Sequence, residues 1–571
     1  MRLFTSSTAL SLLTLTAAVT SSSASASSSS KASVSAVKRH GDSHLHHQAL
    51  TSSAFERRIS TSKRQKQNYQ AQNIFNNNPN PPFPSQEDQN NWVRQSQQDP
   101  IAAAQDVLQN SPYVYTSNLS PSQWSVNSAQ TAQLTPWGDA PYYCGFISTG
   151  SATPDATGDG WISIPQDQQG FTLTNMTIGQ GAVMPYYISQ GADPQTVKRV
   201  IITWPGKPRD AWKYGAYAMS ALCAANANAT KAVTPPVPDE QVPSNQTVAI
   251  ISPMWLNEVD LADGSVEPTW LSFHGSRWQS GYGAQHPRGL NHSYTTYEIM
   301  DNFTDWLFDQ NQWPALKSVV VIGHSMGGQA AQRYALLKKA KPYDDNIRYW
   351  VGNPGSWGWL NTDRPFAPND TCTDIFDEWG YGLGGNLTKM TPYGRKQVNA
   401  SKTDVVNRFL SRKVHIALAL MDNGAGDTHC EALTQGLTHL SRGSQFVLDV
   451  ADANNGVWPE TFTLDYIANT SHADFNMFSA NQSLWHIFQE DIDVRYPDIG
   501  SVSNPGDPGP KKAPGTKAFA TPVHKIMAYS LLLGSIAALS LAFVLLPCLF
   551  PANTNSWEES AWENESKRKL I

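Results

Sequence analysis

The chain predicts an α/β fold, a mostly parallel central sheet flanked by helices, and two observations carry that prediction. From about residue 112 to 498, short β-rich runs alternate with longer amphipathic ones, the rhythm of repeated strand–helix–strand units. The runs 200–204, 248–251, 319–322, 349–351, 415–421 and 462–467 are close to continuously apolar, as strands covered on both faces must be. Both ends of the 571 residues differ in composition from this middle, so one large domain is expected over 111–499.

Taken in order, Met1-Arg2, the apolar stretch 9–19 and Ala24-Ser25-Ala26 have the charged, apolar and small-residue parts of a secretory signal peptide over 1–26. Residues 27–110 are rich in Ser, Gln and Asn and hold too little apolar surface to offset ordering entropy, which predicts a disordered arm. The dibasic pairs Lys38-Arg39, Arg57-Arg58 and Lys63-Arg64 make that arm a candidate pro-segment. Its His40, His44, His46 and His47 lack cysteine or carboxylate partners, so no metal is expected there. Within the domain, 183–188 suits an earlier antiparallel strand, and 297–308 and 328–337 suit helices between strands.

Trp255, Trp270, Phe273, Trp278 and Tyr282 are expected either to wall a pocket or to be core. The insertion 359–411, with Trp379, Tyr381 and Tyr393, is a candidate lid, and Gly380, Gly382, Gly384 and Gly385 would let it move. Beyond the domain, 500–525 is a Pro/Gly stalk and 526–550 is apolar enough to cross a bilayer. The tail 551–571 is polar and ends with Lys567-Arg568-Lys569, which argues for a peptide span over a lipid-anchor signal and puts the tail in the cytoplasm.

A net charge of -6 without a basic stripe argues against a nucleic-acid partner. Of five cysteines, Cys548 lies in the apolar segment; Cys144, Cys223, Cys372 and Cys430 form an even set in a chain bound for an oxidising compartment. Proximity in sequence favours Cys144 with Cys223 and Cys372 with Cys430 among the three pairings. Asn-x-Ser/Thr triplets at Asn175, Asn228, Asn245, Asn291, Asn302, Asn369, Asn386, Asn399, Asn469 and Asn481 suit a glycosylated exterior protein.

The chemistry concentrates at Gly323-His324-Ser325-Met326-Gly327, which follows an apolar strand and precedes a helical run. A serine on such a turn is strained and exposed, and its neighbours must be glycine because a Cβ would collide. Its hydroxyl needs an imidazole to take the proton and a carboxylate to orient that imidazole. With an elbow serine those partners follow in the order acid, then histidine, at later strand ends. Asp422 leaves the 415–421 strand first and is the expected acid, with Asp427 as the alternative. His472, just after the last strand, is the expected base; His429 is a further candidate, His439 and His486 lie in helical patterns, and His324 suits packing or positioning. An oxyanion needs two amide donors. Met326 supplies one, and in Trp204-Pro205-Gly206-Lys207-Pro208 the prolines have no N–H, leaving Gly206 or, preferred, Lys207.

The elbow, the Pro-Gly loop and the order Ser325, Asp422, His472 resemble the α/β-hydrolase superfamily over residues 140–498, in particular secreted or membrane-tethered microbial (fungal) serine hydrolases. The resemblance implies an α/β-hydrolase fold with an eight-stranded type of sheet, no cofactor, no metal, and small ester or amide substrates. The loop departs from the family in having Trp-Pro-Gly where His-Gly is usual. The sequence thus leads to a membrane-tethered esterase, with two alternatives: a catalytically idle adhesion or scaffold domain, and a peptidase on the same fold.

Overall fold

A computed structural model describes residues 84–111, 156–157, 160–231 and 242–490. The expected signal peptide, stalk, span 526–550 and tail lie outside the described residues, as does Cys144. Among the described residues no helix is long and apolar enough to cross a membrane.

The central sheet has eight strands: β1 Phe171–Gly179, β2 Ala182–Ser189, β3 Arg199–Trp204, β4 Val248–Pro253, β5 Ser318–His324, β6 Ile347–Gly352, β7 Lys413–Ala419 and β8 Phe462–Ile467. Their order is β1-β2-β4-β3-β5-β6-β7-β8. β2 is antiparallel to both neighbours, and all later pairings are parallel. β1, absent from the sequence reading, is an edge strand whose alternate residues face solvent, so it lacks the apolar run that marks the others. Gln180 and Gly181 take positive φ (52° and 79°) between β1 and β2, as a tight hairpin requires.

Helices cover both faces: α1 Gln86–Gln98, α2 Pro100–Asn110, α3 Ala211–Lys231, α4 Thr296–Leu307, α5 Met326–Leu337, α6 Pro392–Ala400, α7 Lys402–Leu410 and α8 His439–Ala453. Successive strand residues feed two cores. Val200, Ile202, Val319 and Val321 pack with α4, α5 and α8 on one side, while Ile201, Val320 and Ile322 pack with α3 on the other. This mixed sheet with helices on both faces fits the α/β-hydrolase fold.

The structure bears on three of these expectations. The arm 27–110 is not structureless throughout: Ser85 caps α1, Asp99 caps α2 ahead of Pro100, and the Trp92 indole donates to Asp106 at 3.0 Å. Trp92, Ala103, Ala104 and Val107 join the main core, with α1 on β8 and α2 on α8. Few apolar residues suffice because they share one face and borrow the domain's core. The aromatics Trp255, Trp270, Phe273 and Trp278 are core, at most 6% exposed, with Trp204 stacked on Trp255 at 4.4 Å. Two of the four insertion glycines are held by close packing. A Cβ at Gly382 or Gly384 would overlap the Asp377 carboxylate, which pairs with Arg364 at 2.6 Å in the interior. The Trp379 indole donates to Ser280 O at 2.7 Å, and Cys372 is bridged to Cys430, tying the insertion to the loop after β7. Cys223 is also disulfide-bonded.

Candidate active site

Ser325 follows β5 directly, with φ 59° and ψ -124°, a backbone conformation that side chains with a Cβ rarely adopt. The strain is held from both sides: Ser325 N donates to Gly352 O at 2.9 Å, and Gln329 N to Ser325 O at 3.1 Å. A Cβ at Gly323 would overlap the Gly327 carbonyl, and one at Gly327 would overlap the carbonyls of Trp204 and Pro205. The two glycines therefore let α5 start hard against the end of β3, bringing Met326 beside the Trp-Pro-Gly loop. Ser325 and Met326 are half-buried and Lys207 is exposed. Arg209, at φ 65°, anchors that loop through a bidentate pair with buried Asp260 at 2.8 and 2.9 Å.

Asp422 and His472 lie on adjacent loops after β7 and β8, stitched by Leu420 N to Ile467 O at 3.0 Å and Met421 N to Thr470 O at 2.9 Å. Asp422 Oδ2 is 2.7 Å from His472 Nδ1, with the carboxylate buried and the imidazole 35% exposed. Burial alone would raise the Asp422 carboxyl, but His439 and His472 beside it hold it far below the usual carboxylate range. Asp427 goes elsewhere. It accepts from Ser356 at 3.1 Å and Tyr381 at 3.0 Å and contacts His429 at 2.7 Å. Burial pushes its pKa up, yet the hydrogen bonds and charge of His429 together with the charge of Arg442 outweigh that and hold it down at about 2.

The His472 ring lies between two others, His324 with centroids 4.5 Å apart and His439 at 4.2 Å. The hydrogen bonds assign the tautomer of His324. Ala419 N donates to Asn353 Oδ1 at 2.8 Å, so the Asn353 amide nitrogen faces His324 Nε2 at 3.2 Å and donates to it. The ring proton is then on Nδ1 and goes to Asp474 at 2.6 Å, which also accepts from the Tyr214 hydroxyl at 2.5 Å. Burial lowers the His324 pKa and keeps this ring neutral. The sequence reading assigned His324 to packing or positioning. It missed Asn353, Tyr214 and Asp474, which stand on three separate elements and carry no local motif, and it set His439 aside as a residue of a helical pattern.

Asp422, His439 and His472 bring ligand atoms within 4.8 Å of one another, as do His415, His486 and Glu490. In the second group the space is taken: Arg348 lies 2.9 Å from Glu490 Oε2 and 3.1 Å from His415 Nε2. In the first, both imidazoles turn Nδ1 toward the Asp422 carboxylate, at 2.7 Å for His472 and 3.2 Å for His439.

No protein-family model matches the chain, and no curated protein matches it. Among solved structures it is similar to poly(aspartic acid) hydrolase-1 from Sphingomonas sp. KT-1, at 16% identity over 56% of this chain and 98% of that one, with a TM-score of 0.37. It is also similar to the poly(3-hydroxybutyrate) depolymerase LpqC from Bordetella parapertussis, at 17% identity over 58% and 92%, TM-score 0.37. A third is the siderophore hydrolase EstB from Aspergillus nidulans, at 12% over 57% and 97%, TM-score 0.30. Likeness this faint leaves the chemistry of the present chain to its own geometry.

Proposed function

We propose that the chain is a serine hydrolase that cleaves carboxylic esters through Ser325, His472 and Asp422. Ser325 Oγ attacks the ester carbonyl while His472 Nε2 takes its proton, and Asp422 keeps the other ring proton on Nδ1 and balances the imidazolium. The amides of Met326 and Lys207 receive the oxyanion. Collapse expels the alcohol, which takes the proton back from His472, and water then releases the acid from Ser325 by the same steps in reverse. The observation that supports this most is the 2.7 Å contact of Asp422 with His472, whose ring lies against the residue before a strained serine. Asp422 is the acid in this reading because Asp427 contacts His429 instead.

The apolar segment 526–550 would tether this domain to a membrane, with the signal-like start placing it outside the cell or in a lumen. In keeping with that, the ten sequon asparagines are all exposed or half-buried, open to glycosylation. The test is labelling of the full chain by a fluorophosphonate, which reacts with an activated serine. Wild type should label and Ser325→Ala should not; equal labelling of both would remove the reading, and no labelling of either would leave the idle-scaffold alternative. A panel of p-nitrophenyl esters and peptide amides then separates esterase from peptidase.

A further inference from the structure

Asp422 uses only one of its two oxygens on His472. The other, Oδ1, is buried without a well-aligned donor, and its polar neighbour is His439 Nδ1 at 3.2 Å. His439 Nδ1 also lies 3.0 Å from Gly424 O. A carbonyl only accepts, so Nδ1 carries the ring proton and gives it to Gly424 O, with the Asp422 Oδ1 charge beside that N–H at 3.2 Å. The backbone repeats the connection: His439 N donates to Gly424 O at 3.0 Å and Leu440 N to Asp422 O at 3.2 Å. The loop after β7 is moulded around this ring, since a Cβ at Gly426, at φ 60°, would meet the imidazole edge. Finally, the His439 ring covers one side of His472, tilted 31° with centroids 4.2 Å apart.

We propose that His439 is a positioning residue of the hydrolytic centre, a second imidazole on the same carboxylate that fixes Asp422 through Oδ1 and closes one face of His472. This rests on the Ser325, His472 and Asp422 reading. His439 is the first residue of α8, where the positive end of the helix opposes a second positive charge. Burial lowers its pKa further, against the pull of Asp422. A neutral donor thus steers the carboxylate without adding a charge beside the base. The ionisable groups facing His472 are Asp422, His439, His324 and Asp474; those facing His439 are Asp422, His472 and Arg442.

The experiment measures the rate of fluorophosphonate labelling of the full chain against pH for wild type, His439→Ala and His439→Asn, with thermal unfolding alongside. Asparagine can place an N–H donor where Nδ1 stands, whereas alanine removes it. His439→Ala should label about tenfold or more slowly. Its acid limb should move to higher pH, because a carboxylate that has lost a donor holds the His472 proton more tightly. His439→Asn should recover most of the rate and the wild-type limb. Alanine and asparagine variants that lose rate equally, with the limb unmoved, would make His439 a structural residue only and overturn the proposal, as would wild-type behaviour of both. Should a variant fold poorly, the limb of its folded fraction still decides, because a smaller active population lowers the rate without moving the limb. Labelling that survives Ser325→Ala would instead sink the hydrolase reading itself, so the two failures are distinct.

Discussion

Both ends of the central sheet bury stacked histidines on carboxylates, and they differ in what accompanies them. At the carboxyl ends of the strands, His324, His472 and His439 meet Asp474 and Asp422, with the buried Arg442 near enough to His439 and Asp422 to act on both, and His472 is 35% exposed. Nearer the amino ends, His415 and His486 stack at 4.1 Å, and His486 lies 3.1 Å from Asp465 and 2.7 Å from Glu490. Here guanidinium groups complete the cluster: Arg348 pairs with Glu490 at 2.9 Å, and Arg199 donates to Ile487 O at 3.1 Å. Fixed cations help to saturate the lower cluster and make it a lock for residues 485–490. The upper cluster pairs its carboxylates chiefly with imidazoles, so under the proposed reading a proton can be its mobile charge, as acid–base chemistry needs.

The widest separation between the two ends should appear in reactivity. Asp422→Asn is expected to reduce fluorophosphonate labelling by about 10⁴-fold, because it takes the orienting charge from His472. Glu490→Gln should leave the labelling rate of folded protein near wild type. A lower-end variant that silenced Ser325 without unfolding would erase the distinction.

Stability should follow the opposite order. Glu490→Gln strands Arg348 and His486 in the interior and should destabilise the fold by about 3 kcal/mol in chemical denaturation. Asp422→Asn should cost less, since the buried Arg442 guanidinium answers first to Asp427 and only after that to Asp422.

Acidity sharpens the contrast. Burial would lower the His486 pKa, but Asp465 and Glu490 outweigh it and raise it to about 9 from the ordinary 6.5. The charge therefore contributes stability in full below pH 6.5, and that contribution is lost as pH rises through about 9. His415 does the reverse: burial and the charge of His486 keep it neutral, so it weakens the fold as pH falls through 6.5 and the unfolded chain takes up the proton. Melting temperature should peak between these limits, and His486→Gln should remove the alkaline decline; an unchanged decline would exclude His486 as its source.

The smallest effect is expected at Asp427→Asn. This loosens Ser356, Tyr381 and His429 by about 1–2 kcal/mol in total while leaving labelling within a few-fold of wild type. A loss as deep as that of Asp422→Asn would return Asp427 to candidacy as the acid.

Much of this was legible in sequence where neighbours along the chain impose the constraint. The elbow was in part, because Gly323 answers to the Gly327 carbonyl four residues on, whereas Gly327 answers to the carbonyls of Trp204 and Pro205 on another strand end. So were the inner strands, because a strand covered on both sides must be apolar throughout. By contrast, α3 reads poorly because it is buried nearly all round and so lacks an apolar stripe, and α1 and α2 because their apolar residues matter only once β8 and α8 are there to receive them.

The sequence by itself determined the strand–turn–helix at Ser325 and the chain order in which an acid and a histidine could follow it. Only the tertiary structure decided that Asp422 reaches His472 while Asp427 turns to His429, and that His439 shares the chosen carboxylate. The physical reason is range: backbone sterics and apolar periodicity act over a few residues, whereas a carboxylate selects its partners by distance across three loops that only the closed sheet brings together.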